Sequence, residues 1–311
     1  MKATFFSLVL LLVAAAIISA GCSAPSANSP APATTGTPAV IAPVQTADGQ
    51  NASLSRFVES AAAYAKQSGS DAAIREFNNL NGTFTKGDRF IIAFGMDGTM
   101  LAQPFQPTMH GTNRANETDM NGVMHIRRMI ELAGEGGGWV YFVTKSPDHN
   151  PELKLTYVQP VDSTWFIASG DYLSGIPAVF TPAEKDQLVE RVRQARTYAQ
   201  ANGAAKAIRD FNDRSGTFAT GSSYIFAYAY NGTTLAMPFQ PESIGTDRTD
   251  YTDTHGVKVA AWEIAAAKGG GGFVYVDYYN PDTGKPGMKL CYVLPVDDTW
   301  LVGSGIYTDR K

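Results

Sequence analysis

The segment GTMLAQPFQP, at residues 98–107, decides the architecture of this chain, because it occurs twice. GTNR follows it at residues 111–114. The second copy reads GTTLAMPFQP at residues 232–241, followed by GTDR at residues 245–248. A turn, a short apolar strand and a proline-bounded loop ending in arginine are typical of the rim of a pocket. Since the segment is duplicated, each copy can be compared with the other.

The duplication extends well beyond this segment. Upstream, IREFN at residues 74–78 matches IRDFN at residues 208–212. Downstream, KLTYVQPVD at residues 154–162 matches KLCYVLPVD at residues 289–297. The spacing between the copies changes by only one residue, which predicts tandem duplication of one domain. The two predicted domains are repeat 1, residues 51–178, and repeat 2, residues 179–311.

The N-terminal region has the features of an exported lipoprotein. Lys2, an apolar run and terminal small residues predict a signal peptide over residues 1–22. Cys22 follows the small residues as in a lipobox, so we expect its thiol to carry lipid; the alternative is an ordinary signal peptide with an incidental cysteine. Residues 23–50 are rich in Ser, Ala, Pro and Thr, which predicts a disordered tether. We therefore expect an extracytoplasmic protein anchored to the outer face of the cell membrane.

Hydrophobic patterns predict the same elements in each repeat. A helix with apolar residues at spacings of three and four begins near Leu54, and a shorter helix follows it. Strands with alternating patterns come next, the first two joined by the turn pair Asp97-Gly98. Thr181 before Pro182 predicts the start of the long helix of repeat 2. This order predicts an α+β fold, with a central antiparallel sheet in each domain and helices packed on one side of it.

Composition and charge exclude several classes of protein. The 311 residues carry 25 Lys and Arg against 29 Asp and Glu, for a net charge of −4. A clustered basic surface for nucleic acid is therefore not expected. The two cysteines, Cys22 and Cys291, are far apart, so no disulfide framework is predicted. Cys291 lies within a predicted strand, where a buried inert thiol is expected.

Neither catalysis nor metal binding is predicted. The four histidines have no histidine at the matching place in the other repeat, and no nucleophile, metalloprotease or nucleotide-binding motif occurs. Glu117, Asp119 and Asn121 resemble the start of a calcium loop. Arg128, however, stands where the closing carboxylate is required. We therefore expect Asp119 and Asn121 to cap the following helix, with no catalytic residue, metal or cofactor.

A series of short motifs recurs in the same order in both repeats, from Leu54 to Tyr307. In repeat 1 it runs Phe-Asn, Gly-x-Phe, Asp-Gly-Thr-x-Leu-Ala-x-Pro, Gly-x-Asn, Gly-Trp-Val-Tyr, Lys-Leu-x-Tyr-Val and Trp-x-x-x-Ser-Gly-x-Tyr. This order resembles the single-Cache family of extracytoplasmic sensor domains. The resemblance implies two PAS-like domains that bind a small ligand, often a short carboxylate, on the concave face of the sheet. No second apolar span or signalling module follows here, so we expect a separate membrane sensor or transporter as partner.

Aromatic and charged side chains mark the candidate ligand site. Because side chains alternate along a strand, Phe90, Ile92 and Phe94 share one face. An arginine can hold a carboxylate bidentately, and a lysine supplies a point charge. An aromatic sheet face is equally an ordinary core, and each cation is equally a surface charge or a loop-fixing ion pair to Asp119 or Asp253. The predicted ligand-binding residues are Phe94, Arg114, Trp139, Tyr141 and Lys154 in repeat 1, and Tyr224, Tyr228, Arg248, Tyr275, Asp277 and Lys289 in repeat 2.

Three functions stay open at this point. The leading hypothesis is a lipid-anchored, sensor-type protein that binds a small metabolite, with hydroxyls facing a cavity in the tyrosine-rich repeat 2. The second is a structural or adhesive envelope lipoprotein with vestigial pockets, which a filled sheet face in both repeats would favour. The third is a hydrolase, which requires a histidine or a carboxylate pair converging in one cleft.

Overall fold

The structure, a computed structural model, describes residues 49–146 and 150–309. The predicted signal peptide, Cys22 and residues 23–48 of the predicted tether lie outside the described residues. All described residues belong to one compact unit. Within residues 49–146 and 150–309, no helix is both long enough and apolar enough to cross a membrane.

Each repeat folds into two N-terminal helices, a short two-stranded ladder and a five-stranded sheet that is interrupted by a third helix. In repeat 1 the elements are α1 (Gln50–Ser68), α2 (Ser70–Phe77), β1 (Thr85–Lys86), β2 (Arg89–Phe90), β3 (Ile92–Gly95), β4 (Met100–Ala102), α3 (His125–Gly134), β5 (Gly138–Lys145), β6 (Pro151–Pro160) and β7 (Trp165–Tyr172). In repeat 2 they are α4 (Pro182–Asn202), α5 (Ala204–Phe211), β8 (Ala219–Thr220), β9 (Ser223–Tyr224), β10 (Phe226–Ala229), β11 (Thr234–Ala236), α6 (Val259–Lys268), β12 (Gly272–Asn280), β13 (Lys285–Pro295) and β14 (Trp300–Tyr307).

Both five-stranded sheets are antiparallel and share one strand order. The order is β4-β3-β7-β6-β5 in repeat 1 and β11-β10-β14-β13-β12 in repeat 2. The predicted α+β fold with two antiparallel, PAS-like sheets is therefore confirmed. Lys154 on β6 lies opposite Phe142 on β5 and opposite Tyr172 on β7. These three side chains consequently share one face of the sheet.

The Asp97-Gly98 turn forms as predicted, and its glycine has a counterpart with a positive φ, Gly232, in repeat 2. Gly98 has a φ of +87°, a conformation that glycine adopts without strain. Asp97 Oδ1 accepts a hydrogen bond from the Thr99 N–H at 2.9 Å. A side chain at position 98 would also come within 2.7 Å of Ala115. The turn thus holds the rim loop, residues 103–114, against the end of the hairpin.

One face of each sheet is covered by the long N-terminal helix. In repeat 1, Leu54 and Val58 of α1 are buried against Ile91 and Ile167 of the sheet region. Burial of each such side chain contributes about 1.5–3 kcal/mol relative to exposure. In repeat 2 the matching helix begins at Thr181, whose side chain forms the predicted cap as part of a capping box.

The third helix lies on the other face, so the prediction that all helices pack on one side of the sheet is wrong. α3 contacts β5 and β6. Its Ile126 and Met129 belong to the same buried cluster as Val140 and Phe142. Both faces of the sheet are therefore covered, and the space between sheet, α3 and rim loop is where a ligand can enter.

The two repeats contact each other through the edge strands β5 and β12. Val123 of repeat 1 forms an isolated bridge with Phe273 of repeat 2. A side chain at Gly122 would come within 3.0 Å of the Phe273 ring, and one at Gly256 within 3.0 Å of the Trp139 ring. The contacts are reciprocal, because each repeat places a glycine against an aromatic ring of the other.

Candidate functional site

Repeat 1 encloses a cavity of about 750 Å³ between the sheet, α3 and the rim loop. Small-molecule sites typically measure roughly 300–1,000 Å³ and are mostly apolar with a few fixed polar groups. Two residues at the mouth, Leu80 and Phe105, are each 53% exposed. The apolar and aromatic side chains of the wall are Phe90, Ile92, Phe94, Met100, Ile126, Met129 and Phe142.

Lys154 is the buried cation of this cavity, with only 7% of the residue exposed. Its Nζ lies 4.9 Å from the centre of the Phe90 ring and 4.6 Å from that of Tyr172. Burial lowers the pKa of Lys154 to about 8, although the charges of Asp171 and Asp88 act in the opposite direction. Among the described residues, Lys154 forms no ion pair. At neutral pH Lys154 is therefore a buried positive charge that no carboxylate contacts directly among the described residues, although Asp88 also lines the cavity.

A glycine on β7 makes room for this lysine. A side chain at Gly170 would come within 3.0 Å of Lys154 Cε and within 2.5 Å of the Leu155 carbonyl oxygen. The matching Gly305 of repeat 2 lies under Lys289 in the same way, because a methyl group at Gly305 would come within 2.5 Å of Lys289 Cε. The Ser-Gly-x-Tyr motif thus lets the lysine stem cross the strand, a role that the sequence alone did not reveal.

Further polar groups surround the lysine. Arg114 lines the cavity and pairs with Glu117. His125 stacks on Phe142 with 4.4 Å between ring centres, and burial lowers the pKa of His125. The imidazole is therefore neutral at pH 7 and can exchange hydrogen bonds with a ligand. Thr156 Oγ1 is buried in the cavity wall and has no hydrogen-bond partner among the described residues.

The matching place in repeat 2 is filled. The space left there is about 10 Å³, close to the smallest volume that holds one water molecule. Tyr278 stands where repeat 1 has Thr144, and Phe226 stands where it has Ile92. Contrary to the sequence-based expectation, the tyrosines of repeat 2 occupy the space instead of facing an open cavity. Tyr224, Tyr228 and Lys289, all predicted ligand residues, lie together in this filled site.

Sequence comparison identifies the family. A family model for the Cache domain matches residues 74–310, which includes most of both repeats. The chain belongs to the Cache domain family. Cache sensory domains bind ligands and do not catalyse reactions, and they are typically extracytoplasmic. The chain is also similar to the sensor histidine kinase MctS of Rhizobium johnstonii, with 40% identity over 87 residues. That match covers 28% of this chain and 19% of the length of the curated relative.

Several solved sensor domains are similar to the Cache repeats at low identity. A methyl-accepting chemotaxis protein of Vibrio parahaemolyticus is 24% identical, with a TM-score of 0.37, and the match covers 41% of this chain and 90% of that one. A Cache chemosensory domain described for carboxylic acid recognition is 22% identical, with a TM-score of 0.36, over 41% of this chain and 95% of that one. The ligand-binding domain of the Pseudomonas fluorescens chemoreceptor CtaA, in complex with L-serine, is 12% identical over 82% of this chain and 89% of that one, with a TM-score of 0.23.

Four predicted ligand residues lie on the opposite face of the Cache sheets. Strand register places Phe142 and Val276 on the side of the lysines. The residues before and after them point away from the cavity, because side chains alternate along a strand. Trp139 packs on Tyr157 instead, with 4.7 Å between ring centres. The four residues that the structure places away from the cavity are Trp139, Tyr141, Tyr275 and Asp277.

Two of these tyrosines join the Cache repeats to each other. Tyr141 OH donates a hydrogen bond to Asp253 Oδ2 at 3.0 Å and lies 2.8 Å from His255 Nδ1. In the other direction, Tyr275 OH donates to the Ala178 carbonyl oxygen at 2.7 Å and accepts from the Asn121 amide. Each tyrosine thus crosses to a loop of the other repeat. Asp277 accepts a hydrogen bond from the Thr254 hydroxyl at the same junction.

The calcium-loop resemblance has a structural explanation. Asp253 accepts hydrogen bonds from the N–H groups of His255, Val257 and Asp277 at 2.9–3.0 Å. Asp119 accepts from the corresponding residues of repeat 1, Asn121, Val123 and Val143. Burial raises the pKa of Asp253 to about 7. These carboxylates fix the loop to the neighbouring strand, and Asp119 does not cap α3, whose cap residue is Met124.

The two predicted rim arginines have different surroundings. Arg114 lines the open cavity, whereas the guanidinium of Arg248 lies 3.5 Å from the centre of the Tyr251 ring. Neither arginine pairs with Asp119 or Asp253; Arg114 pairs with Glu117. The structure therefore brings Phe94, Arg114 and Lys154 together at one cavity. Their role in ligand binding stays a prediction.

Sequence reasoning missed several residues of the cavity, and three of them, Thr156, His125 and Gly170, bear on its chemistry or on the path of Lys154. Thr156 lies two residues after Lys154, so the alternation along β6 could have placed it on the same face. His125 and Gly170 carried no such signal. The position of the third helix over the sheet was needed to bring His125 to the cavity, and the path of the lysine stem was needed to explain Gly170.

Proposed function

We propose that this Cache protein binds a small organic carboxylate in repeat 1, with Lys154 as the counter-ion of the ligand. The observation that carries this proposal is a buried lysine, unpaired among the described residues, inside a cavity of about 750 Å³. A buried charge is costly unless it is paired. A ligand carboxylate would supply the missing pair to this lysine, whose residue is only 7% exposed.

The remaining wall supports an organic acid over an inorganic anion. Phe90, Phe94 and Phe142 form an apolar surface that matches a hydrocarbon portion. Thr156 and the neutral His125 offer hydrogen bonds beside the lysine. A ligand with one carboxylate end and a short apolar or hydroxylated body would satisfy both parts of the wall.

The test is calorimetric titration of the full chain with a panel of short mono- and dicarboxylates, keto acids and amino acids. We expect one ligand per chain. The variant Lys154→Met should lose that binding. A matched control carries Lys289→Met with Glu263→Met, which alters the lysine site of repeat 2 and should leave binding unchanged. Equal binding by the Lys154 variant, or no ligand from any of these classes, would contradict the proposal.

We also propose that the protein is held at the outer face of the membrane by lipid on Cys22 and acts through a separate membrane sensor or transporter. The small residues before Cys22 and the uncharged segment 23–50 support this arrangement. Stable anchoring requires more than one acyl chain, since a single chain binds only marginally. Mass spectrometry of the N-terminal peptide should detect the lipid, and Cys22→Ala should release the protein from membranes; an unlipidated, membrane-free native protein would contradict this part.

The alternative of an envelope protein with vestigial pockets would be favoured by a filled sheet face in both repeats. Only repeat 2 has a filled site, whereas repeat 1 keeps its cavity. We therefore prefer the ligand-binding function.

A further inference from the structure

We propose that repeat 2 carries its own internal ligand: the Glu263 side chain supplies to Lys289 the carboxylate that a soluble acid supplies to Lys154. The comparison with repeat 1 rests on the proposed function, whereas the test below measures the acetate response of repeat 2 alone. Glu263 then stands in the position of a ligand, and repeat 2 is permanently occupied.

Glu263 and Lys289 face the same small space. Both line the remaining cavity of about 10 Å³, and they are 2% and 1% exposed. One oxygen of Glu263, Oε2, has no hydrogen-bond partner among the described residues, although the carboxyl group shares a hydrogen bond with the Cys291 thiol. The hydroxyl of Tyr278, which lines the same space, also has no partner among these residues. A carboxylate, an ammonium group and a hydroxyl thus converge on a volume near that of one water molecule.

The two repeats differ in the residue that the third helix places towards the lysine. Glu263 on α6 corresponds to Met129 on α3, while Lys289 corresponds to Lys154. Where the helix supplies methionine, the lysine faces an open cavity; where it supplies glutamate, the site is filled. The presence of an internal carboxylate and the loss of the cavity therefore occur together in one repeat.

The mouth of repeat 2 is also closed. Phe239 is half-buried, and the Arg214 guanidinium lies 5.5 Å from the centre of its ring. Arg214 Nε donates a hydrogen bond to the Pro238 carbonyl oxygen at 2.6 Å. The matching residues of repeat 1, Phe105 and Leu80, are exposed. A covered mouth is what an occupied site requires.

Burial is the strongest influence on the charge of both groups. It raises the pKa of Glu263 and lowers the pKa of Lys289, which favours the neutral form of each, while each group in turn favours the charged form of the other. Among the described residues the two groups are not in direct ion-pair contact, so their attraction acts across the small space between them. Cys291, two residues after Lys289 on β13, is also buried, and that burial raises the pKa of its thiol.

The chemistry of the side chain suggests a direct test by chemical rescue. Truncation of Glu263 to alanine removes the atoms of one acetate ion. Acetate should therefore fit the space that Glu263→Ala creates and restore the carboxylate beside Lys289. Neutral acetamide has the same size but lacks the charge, and butyrate has the charge but exceeds the space.

The experiment measures thermal unfolding of the full chain with Lys154→Met present throughout, so that repeat 1 does not contribute. Glu263→Ala is compared with Glu263→Met, which reproduces the residue of repeat 1 without leaving a carboxylate-sized gap. If acetate binds with a dissociation constant of about 5 mM, about 100 mM acetate should raise the Tm of Glu263→Ala by roughly 4–7 °C relative to sodium chloride. Glu263→Met and the parent with Glu263 intact should show no such rise.

Several results would overturn the inference. These are an absent acetate effect on Glu263→Ala, an equal effect on Glu263→Met, or an equal effect of acetamide. If Glu263→Ala does not fold in chloride, its folded yield is compared after refolding in acetate and in chloride, and equal yields count against the inference. Loss of ligand binding by repeat 1 is measured separately by calorimetry without Lys154→Met, so failure of the proposed function is distinguished from failure here.

Discussion

Replacement of Lys154 by methionine tests the cavity most directly, because it should improve stability and abolish binding together. Burial lowers the pKa of Lys154 from 10.5 to about 8. A difference of about 2.5 pKa units corresponds to about 3 kcal/mol of unfavourable free energy for the charged form in the folded state. Contacts of the ammonium with the rings of Phe90 and Tyr172 offset part of that cost, at about 0.5–1 kcal/mol each. The net gain in unfolding free energy should be about 1–2 kcal/mol at neutral pH.

The loss of ligand affinity should be larger than this gain. Removal of one partner of a buried charge pair typically costs about 2–4 kcal/mol, which is about 30- to 700-fold in Kd. Thermal unfolding without ligand should show a Tm higher by about 2–8 °C for Lys154→Met. Calorimetry should show the loss of binding at the same pH. A variant that is less stable and binds equally well would refute the assignment of a buried, unpaired charge.

The same lysine sets the pH dependence of binding. The free protein holds Lys154 protonated below a pKa of about 8. A bound carboxylate raises that pKa, so binding is complete below it and weakens as pH rises through it. Between the free and bound pKa values, Kd should increase about tenfold per pH unit. A Kd that is constant from pH 7 to pH 9 would show that Lys154 does not contact the ligand.

Two further predictions concern the buried polar groups of repeat 2 and of the junction between the repeats. Joint replacement of Lys289 and Glu263 by methionine should be neutral or stabilising by about 1–4 kcal/mol in urea unfolding. Lys289→Met alone should be less stable than this double variant, because it leaves Glu263 buried without its cation, so that the carboxyl must be buried in its protonated form. Equal stability of the two variants would count against coupling between the groups. Tyr141→Phe should lower the unfolding free energy by about 1–2 kcal/mol, because the carboxylate of Asp253 loses the hydroxyl donor at 3.0 Å. Tyr275→Phe, the corresponding change in repeat 2, should lower the unfolding free energy by a similar amount, because the Ala178 carbonyl oxygen loses its donor.

Much of the fold was predictable because the duplication supplied an internal comparison. Strand alternation correctly grouped Phe90, Ile92 and Phe94, and the shared lysine position was visible in both copies. Alternation alone, however, cannot say which face of a sheet borders the cavity when both faces are buried. Trp139 and Tyr141 show this, because they are aromatic and buried or half-buried yet lie on the side away from the cavity.

Whether each site is open or filled was not predictable from the sequence, since this depends on how completely side chains from several elements fill the space above the sheet. The tyrosines of repeat 2 suggested a polar pocket, but residues such as Tyr278 fill the space that Thr144 leaves open in repeat 1. The role of Glu263 could be recognised only from the fold, because nothing in the helix sequence VAAWEIAAAK shows which lysine its carboxyl group faces. Packing between helices and strands, and not the local sequence pattern, determines that repeat 1 is open and repeat 2 is filled.

Because the site of repeat 2 is filled, the cavity of repeat 1 alone would determine how occupancy depends on ligand concentration. Repeat 1 keeps a cavity whereas the matching place in repeat 2 is filled, so these two matching places of the described residues offer a single position for ligand. Its occupancy should follow a simple hyperbola with a Hill coefficient of about 1. Any sharp threshold in the response would then have to arise in the membrane partner or in association of several chains.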